Sequence, residues 1–312
     1  MNKVPKKSPD SAKDTQFEHL YQVSESEVYD FVHQHHLFKQ LDQFPEIAKT
    51  YYTYTINNAI KQMHKNKKLT TLFHAVTKPQ STEESELKKL LPSKTVAKYL
   101  TRLNLTFLKK EEIEALIEHL PENLEFVSEI NLAHTYVPPK TLQMLLKKCP
   151  NLKNLLVTDN QTDHTYSLTA EDFIYILKLF PHIEKLELHN KYFDKLKDLD
   201  THGIKLDDLS FFYLSNAPIT KQDFVQFLTI CPNLKEAEFN RCENLKDLDE
   251  KTFPQLENLE ILHLVGDANL KIQDLVIITQ KCPHLKKIYL TKNPSLSAQD
   301  IPTDIKKKII WR

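Results

Sequence analysis

The side chains best suited to chemistry in this sequence fall into three groups. His33, His35 and His36 lie within four positions of one another, a density that suggests a transition-metal site. Asp159, Asp163 and His164 share one short polar stretch, carboxylates and an imidazole of the kind that bind a metal. Cys149, Cys231, Cys242 and Cys282 offer thiols for nucleophilic attack. In none of the three does the spacing match a known ligand or catalytic pattern, and neither HExxH nor CxxC occurs. The histidines are therefore read as surface or cap residues of a helix. The cysteines are read as small buried apolar side chains in a reducing, cytosolic setting, neither disulfides nor nucleophiles. No catalytic group, metal or cofactor is expected.

Glycine narrows the chemistry further. Of 312 residues only Gly203 and Gly266 are glycine. Phosphate-cradling loops and the nucleophile elbow need glycine, because the backbone there takes positive φ or touches the ligand. A Walker loop, a GxGxxG turn and a GxSxG elbow are all excluded. Lys and Arg number 42 and Asp and Glu 42, so no net field favours nucleic acid or an anionic membrane as partner. No run in the sequence approaches the ~20 apolar residues of a membrane helix. Residues 1–20, rich in Lys, Ser, Pro and Asp, read as a disordered tail and not as a Sec signal peptide.

What must position any functional group here is a repeat. In the register LxxLxL, eight segments align: LTRLNL from Leu100, VSEINL from Val127, LKNLLV from Leu152, IEKLEL from Ile183, LSFFYL from Leu209, LKEAEF from Leu234, LEILHL from Leu259 and LKKIYL from Leu285. The steps between them are 27, 25, 31, 26, 25, 25 and 26 residues, and positions one, four and six are apolar every time. A prolyl pair precedes four of the segments, at Cys149-Pro150, Phe180-Pro181, Cys231-Pro232 and Cys282-Pro283. Amphipathic runs follow several of them. Thr169 with Asp172, Thr220 with Asp223 and Ser297 with Asp300 have the spacing of helix N-terminal caps. One strand–helix unit cannot bury its apolar face alone, so neighbours must stack into a continuous core.

The phrases CPNLKNLLV, CPNLKEAEF and CPHLKKIYL resemble the cysteine-containing class of leucine-rich repeats, the class that follows the F-box in F-box proteins. The resemblance covers residues 96 to 300. It implies an α/β fold, a right-handed horseshoe solenoid with a parallel concave sheet and convex helices. Residues 95–312 are assigned to it, with Ile309, Ile310 and Trp311 on a short C-terminal helix capping the last repeat. Residues 21–94 are expected to be a helical N-terminal segment, either a cap or a degenerate F-box. Ser24 with Glu27 forms a capping box there. Gln40, Leu41 and Phe44, then Ile47-Ala48-Lys49 and Tyr51, resemble the F-box phrase DLxxLxxVCKxW, although its opening Leu-Pro is missing. That resemblance implies that Leu41, Phe44, Ile47 and Tyr51 touch a Skp-type adaptor of an SCF ubiquitin ligase.

With positions one, four and six inward, positions two, three, five and seven are expected on the concave surface. Early repeats place Arg102, Asn104, Glu129 and Asn131 there, a bland polar face. Repeat four adds Glu184, Glu187 and His189, repeat six Glu236, Glu238 and Asn240, and the last two Ile261, His263, Lys287 and Tyr289. Repeat five sets Phe211 and Tyr213 among these charges, two aromatics surplus to a core already supplied by Leu209, Phe212 and Leu214. Exposed aromatics amid charge have the makeup of an interface hot spot, so partner binding is assigned to these columns, with Phe211 and Tyr213 foremost. The 31-residue step inserts about five residues, which makes Asp159, Asp163 and His164 a candidate contact loop.

The expected function is a non-catalytic interaction module with a protein partner on its concave face. The composition resembles that of leucine-rich-repeat effectors of intracellular bacteria, which would place the protein in a host cytosol. Two alternatives are an F-box substrate receptor and an inhibitor that masks a partner enzyme's active site. An enzyme such as a bacterial leucine-rich-repeat ubiquitin ligase would append a helical catalytic domain, for which repeats reaching nearly to residue 300 leave no room.

Overall fold

The computed structural model describes residues 24–65 and 94–312, apart from 36, 136, 159–168, 190–202, 216–218, 241–244, 267–268, 292–295 and 297–298. Each of the eight phrases becomes a strand: β1 (Arg102–Asn104), β2 (Glu129–Ala133), β3 (Asn154–Thr158), β4 (Lys185–His189), β5 (Phe211–Ser215), β6 (Glu236–Asn240), β7 (Ile261–Val265) and β8 (Lys287–Leu290). A ninth, β9 (Ile309–Trp311), follows them. All lie parallel in one sheet whose spatial order is the chain order, the arrangement of a leucine-rich-repeat solenoid.

The register repeats without slip. Leu103, Ile130, Leu155, Leu186, Phe212, Ala237, Leu262 and Ile288, the fourth position of each phrase, stand in one line across the sheet. All eight are buried. A strand's side chains alternate between faces, so fixing this line inward sends positions three and five outward in every repeat. The prolyl pair has a local job. Its carbonyl accepts from the N–H three residues on, Cys149 from Leu152, Phe180 from Ile183, Cys231 from Leu234 and Cys282 from Leu285. Proline at the second place of such a turn presets φ and needs no donor, so the chain reverses directly into the strand.

Helices α1 (Glu25–Gln34), α2 (Pro45–Lys65) and α3 (Lys94–Tyr99) precede the sheet, with a 3-10 helix, Leu37–Gln43, between the first two. Then α4 (Lys110–His119), α5 (Pro139–Lys147), α6 (Ala170–Leu179), α7 (Lys221–Thr229) and α8 (Ile272–Lys281) follow β1, β2, β3, β5 and β7. The Thr169–Asp172 and Thr220–Asp223 caps form: each aspartate accepts from the threonine N–H and each threonine hydroxyl from the aspartate N–H. At α8 the N–H of Lys271 donates to Asp274, whose other oxygen accepts from Leu248 N–H at 2.7 Å. This buried carboxylate thereby ties one repeat to the one before it.

The two ends close differently. Val28, Val32, Leu41, Phe44, Ile47, Ala48, Tyr51 and Tyr99 form a small core of their own. Ile56 and Ile60, further along α2, join the main core. Asn57 closes the free edge of β1: its amide donates to Arg102 C=O at 3.0 Å and accepts from Asn104 N–H at 2.9 Å, as a neighbouring strand would. At the other end the expected helix through Ile309, Ile310 and Trp311 is replaced by β9, preceded by the short helix α9 (Thr303–Lys306). The parallel register Tyr289↔Ile310 adds one more strand to β8, and Ile310 and Trp311 stay exposed.

Candidate partner-binding face

The outward positions of β4 to β8 form a strip of aromatic and charged groups. At position three stand Lys185, Phe211, Glu236, Ile261 and Lys287; at position five, Glu187, Tyr213, Glu238, His263 and Tyr289. Phe211 and Tyr213 are half-buried on this face, while Phe212 between them is sealed in the core against Phe227, with ring centroids 4.1 Å apart. The Lys185 ammonium lies 4.7 Å from the Phe211 ring centre and 2.6 Å from a Glu187 oxygen. Toward β2 the same face dips into a shallow hollow of about 210 Å³, bordered by Glu129, Asn131, Asn154, Leu156, Lys185 and Glu187.

His263 is at the heart of the strip, yet it is not the exposed contact residue expected from its column. Only 5% of it is accessible. The Tyr289 ring stacks on it at 4.2 Å, and the Arg312 guanidinium lies over the other partner of that stack, 4.5 Å from the Tyr289 centre. Its Nε2 is 3.4 Å from a Glu236 oxygen and its Nδ1 3.5 Å from a Glu238 oxygen. Burial, with Arg312 adding to it, pushes the imidazole down to about 4. Burial also raises the Glu238 carboxyl, with Glu236 and Glu187 adding to the effect and Arg312 opposing it.

Other expected contacts are placed elsewhere. Glu184 precedes β4 and pairs at 2.6 Å with Lys153 of the previous repeat, so it belongs to a charge ladder along the leading edge of the sheet. Lys286 with Glu260, also at 2.6 Å, continues that ladder. His189 and Asn240 end their strands, on either side of Ser215 in the register, and Ser215 is buried. Asp159, Asp163 and His164 lie outside the described residues, as does Cys242. The four residues assigned to a Skp-type adaptor, Leu41, Phe44, Ile47 and Tyr51, turn inward and build the N-terminal core, none more than 9% exposed. An apolar helix residue has the same sequence signature whether it anchors a partner or packs against its own neighbours.

Three of the thiols are sealed away from solvent. Cys149, Cys231 and Cys282 are fully buried and unpaired, and burial lifts Cys149 and Cys282 to about 12 and Cys231 well above its ordinary value. Of the histidine group, His33 meets the Tyr51 hydroxyl at 3.0 Å. Among the described residues no set of three His, Cys, Asp or Glu side chains is arranged to hold a metal ion. Nor is any described helix long and apolar enough to cross a membrane.

Sequence reading missed two features. Lys185 and Arg312 frame the strip, and Lys185 was legible at position three of its repeat. The second is the residue just past each strand. Phe107, His134 and Gly266 share the eighth position of their repeats and have φ of 66°, 55° and 105°. The chain leaves the sheet there by a left-handed turn that suits glycine and strains an aromatic residue. Gly266 was the available signal. Phe107, 59% exposed, stacks on His134 with ring centroids 4.8 Å apart.

No protein-family model and no curated protein matches this sequence. Among solved structures the chain is similar to the Rad7–Elc1 complex of yeast, with 16% identity and a TM-score of 0.43 over 98% of this chain and 92% of that one. It is also similar to InlP of Listeria monocytogenes, with 13% identity and a TM-score of 0.39 over 82% of this chain and 70% of that one. A third likeness is to TLR13 in complex with ssRNA13, with 16% identity and a TM-score of 0.32 over 64% of this chain and 28% of that one. The fold itself is assigned by the phased parallel strands and the single core beneath them: this chain is a leucine-rich-repeat solenoid.

Proposed function

We propose that the chain is a non-catalytic interaction module that holds a protein partner on the open face of its sheet across β4 to β8. One observation carries the reading. Phe211 and Tyr213 stand on the solvent side of a strand whose core is already filled by Phe212 and Leu214. Aromatic side chains in such a position gain from being covered by a partner and contribute little to folding. A cytosolic, reducing setting goes with it, since the turn cysteines serve as packing groups. In a bacterial effector the setting would be the host cytosol, and the partner a host protein or another effector; masking the active site of a partner enzyme is one form such binding would take. The N-terminal helices are read as a cap for the first repeat, supported by Asn57 on the edge of β1 and the inward-facing Leu41 and Phe44.

The test is capture of partners by the full chain and by a Phe211→Ala, Tyr213→Ala double variant. Loss of a captured protein with an unchanged melting temperature supports the reading; undiminished capture removes the assignment of this face. Co-purification with a Skp-type adaptor would favour the ubiquitin-ligase reading of the N-terminal helices over the cap.

A further inference from the structure

The Glu236–His263–Glu238 group is short of positive charge. A neutral imidazole has one N–H and one bare nitrogen. Both nitrogens of His263 face carboxylates, at 3.4 and 3.5 Å, and the buried Nδ1 makes no hydrogen bond. Whichever nitrogen carries the hydrogen, the other directs a lone pair at a glutamate. Among the described residues no lysine or arginine nitrogen comes within 4.0 Å of either carboxylate. Of the nearby cations, Lys185 is engaged by Glu187 and Phe211, and Arg312 lies over Tyr289, from where its charge reaches Glu238 without a close ion pair. Lys287 is on β8, two strands from β6 in the sheet. Burial of Glu238 makes the missing charge more costly.

Resting on the reading of this face as the partner surface, we propose that Glu236 and Glu238 form a seat for a guanidinium, an arginine side chain presented by the partner. Two adjacent carboxylates on one strand match the planar fork of five N–H donors that arginine carries. Tyr213 stands opposite Glu238 in the register, an aromatic neighbour beside which a delocalised cation packs better than an ammonium. The arginine supplies the donors that the imidazole cannot, and Lys185 and Arg312 at the rim keep out a second cation.

The probe is a pair of short capped peptides that differ only in arginine against citrulline, its uncharged isostere, with a lysine peptide as a third arm. Binding is followed by amide chemical shifts of the full chain. The expected result is binding of the arginine peptide about ten-fold or more tighter than citrulline, lysine falling between, with shifts centred on β5 to β7. Glu236→Gln with Glu238→Gln should abolish the preference without lowering the melting temperature. Equal binding of arginine and citrulline peptides, no binding of either, or a preference that survives the double substitution each overturns the seat. If the seat fails while Phe211→Ala, Tyr213→Ala still loses a captured partner, the partner face stands without it. If capture is undiminished, the face itself is wrong.

Discussion

The two sides of the sheet are made by the same strands under opposite rules. Inward, positions one, four and six are interchangeable apolar groups, Leu, Ile, Val or Phe and once Ala237, all packed in one continuous core. Outward, positions three and five change character from repeat to repeat, from Arg102 and Asn104 at β1 to Phe211 and Tyr213 at β5 and Lys287 and Tyr289 at β8. A shared period constrains one face and leaves the other free to vary. Stability should therefore reside in the inner columns and recognition in the outer ones, and neighbouring residues of one strand should behave in opposite ways.

The sharpest contrast is Phe212 against Phe211. Phe212→Ala empties a sealed site and should cost ~3–5 kcal/mol in urea unfolding, whereas Phe211→Ala should cost under ~1 kcal/mol and show its effect in partner capture. Comparable losses from the two would erase the distinction between the faces.

His263 blurs the boundary, being an outward residue that is buried. Held down to about 4 from an ordinary 6.5, its ring takes up a proton more readily in the unfolded chain than in the folded one. Stability should therefore be undiminished above pH 6.5 and fall as the pH drops from 6.5 through about 4, by roughly 3 kcal/mol relative to His263→Gln. Below that the two curves should run parallel. Glu238, raised by burial, acts in the opposite sense, and the difference between the two proteins isolates the ring. Parallel curves throughout would mean that the flanking carboxylates offset the burial of the ring.

Thr220→Ala removes the cap of α7 and should lower stability by ~1 kcal/mol without touching the open face. The smallest effect belongs to the edge ladder. Separating Lys286 from Glu260 by Lys286→Ala should leave the melting temperature within error, because both groups are solvated and screened.

The eight strands were legible because each repeat re-declares its register, and a one-residue slip would turn Leu103, Ile130 and their whole line to solvent. β9 was not. Ile309-Ile310-Trp311 follows three lysines with no repeat phrase around it, and its strand form comes from the free edge of β8 rather than from its own residues. The open face was legible by column but not by exposure. Sequence spacing sets the direction of the His263 side chain, whereas Tyr289, brought in by the next strand, covers it. The burial of the N-terminal apolar residues was hidden for the matching reason, since Leu41 and Phe44 gain their neighbours from α1 and α2 packing together.

The turn cysteines carry one more consequence. Cys149, Cys231 and Cys282 mark three stations along the array, each a single thiol whose contact with solvent requires its own stretch of chain to open. Alkylation at pH 7 would then act as a set of local clocks. The order in which the three are modified would report from which end the solenoid unzips, with no residue substituted.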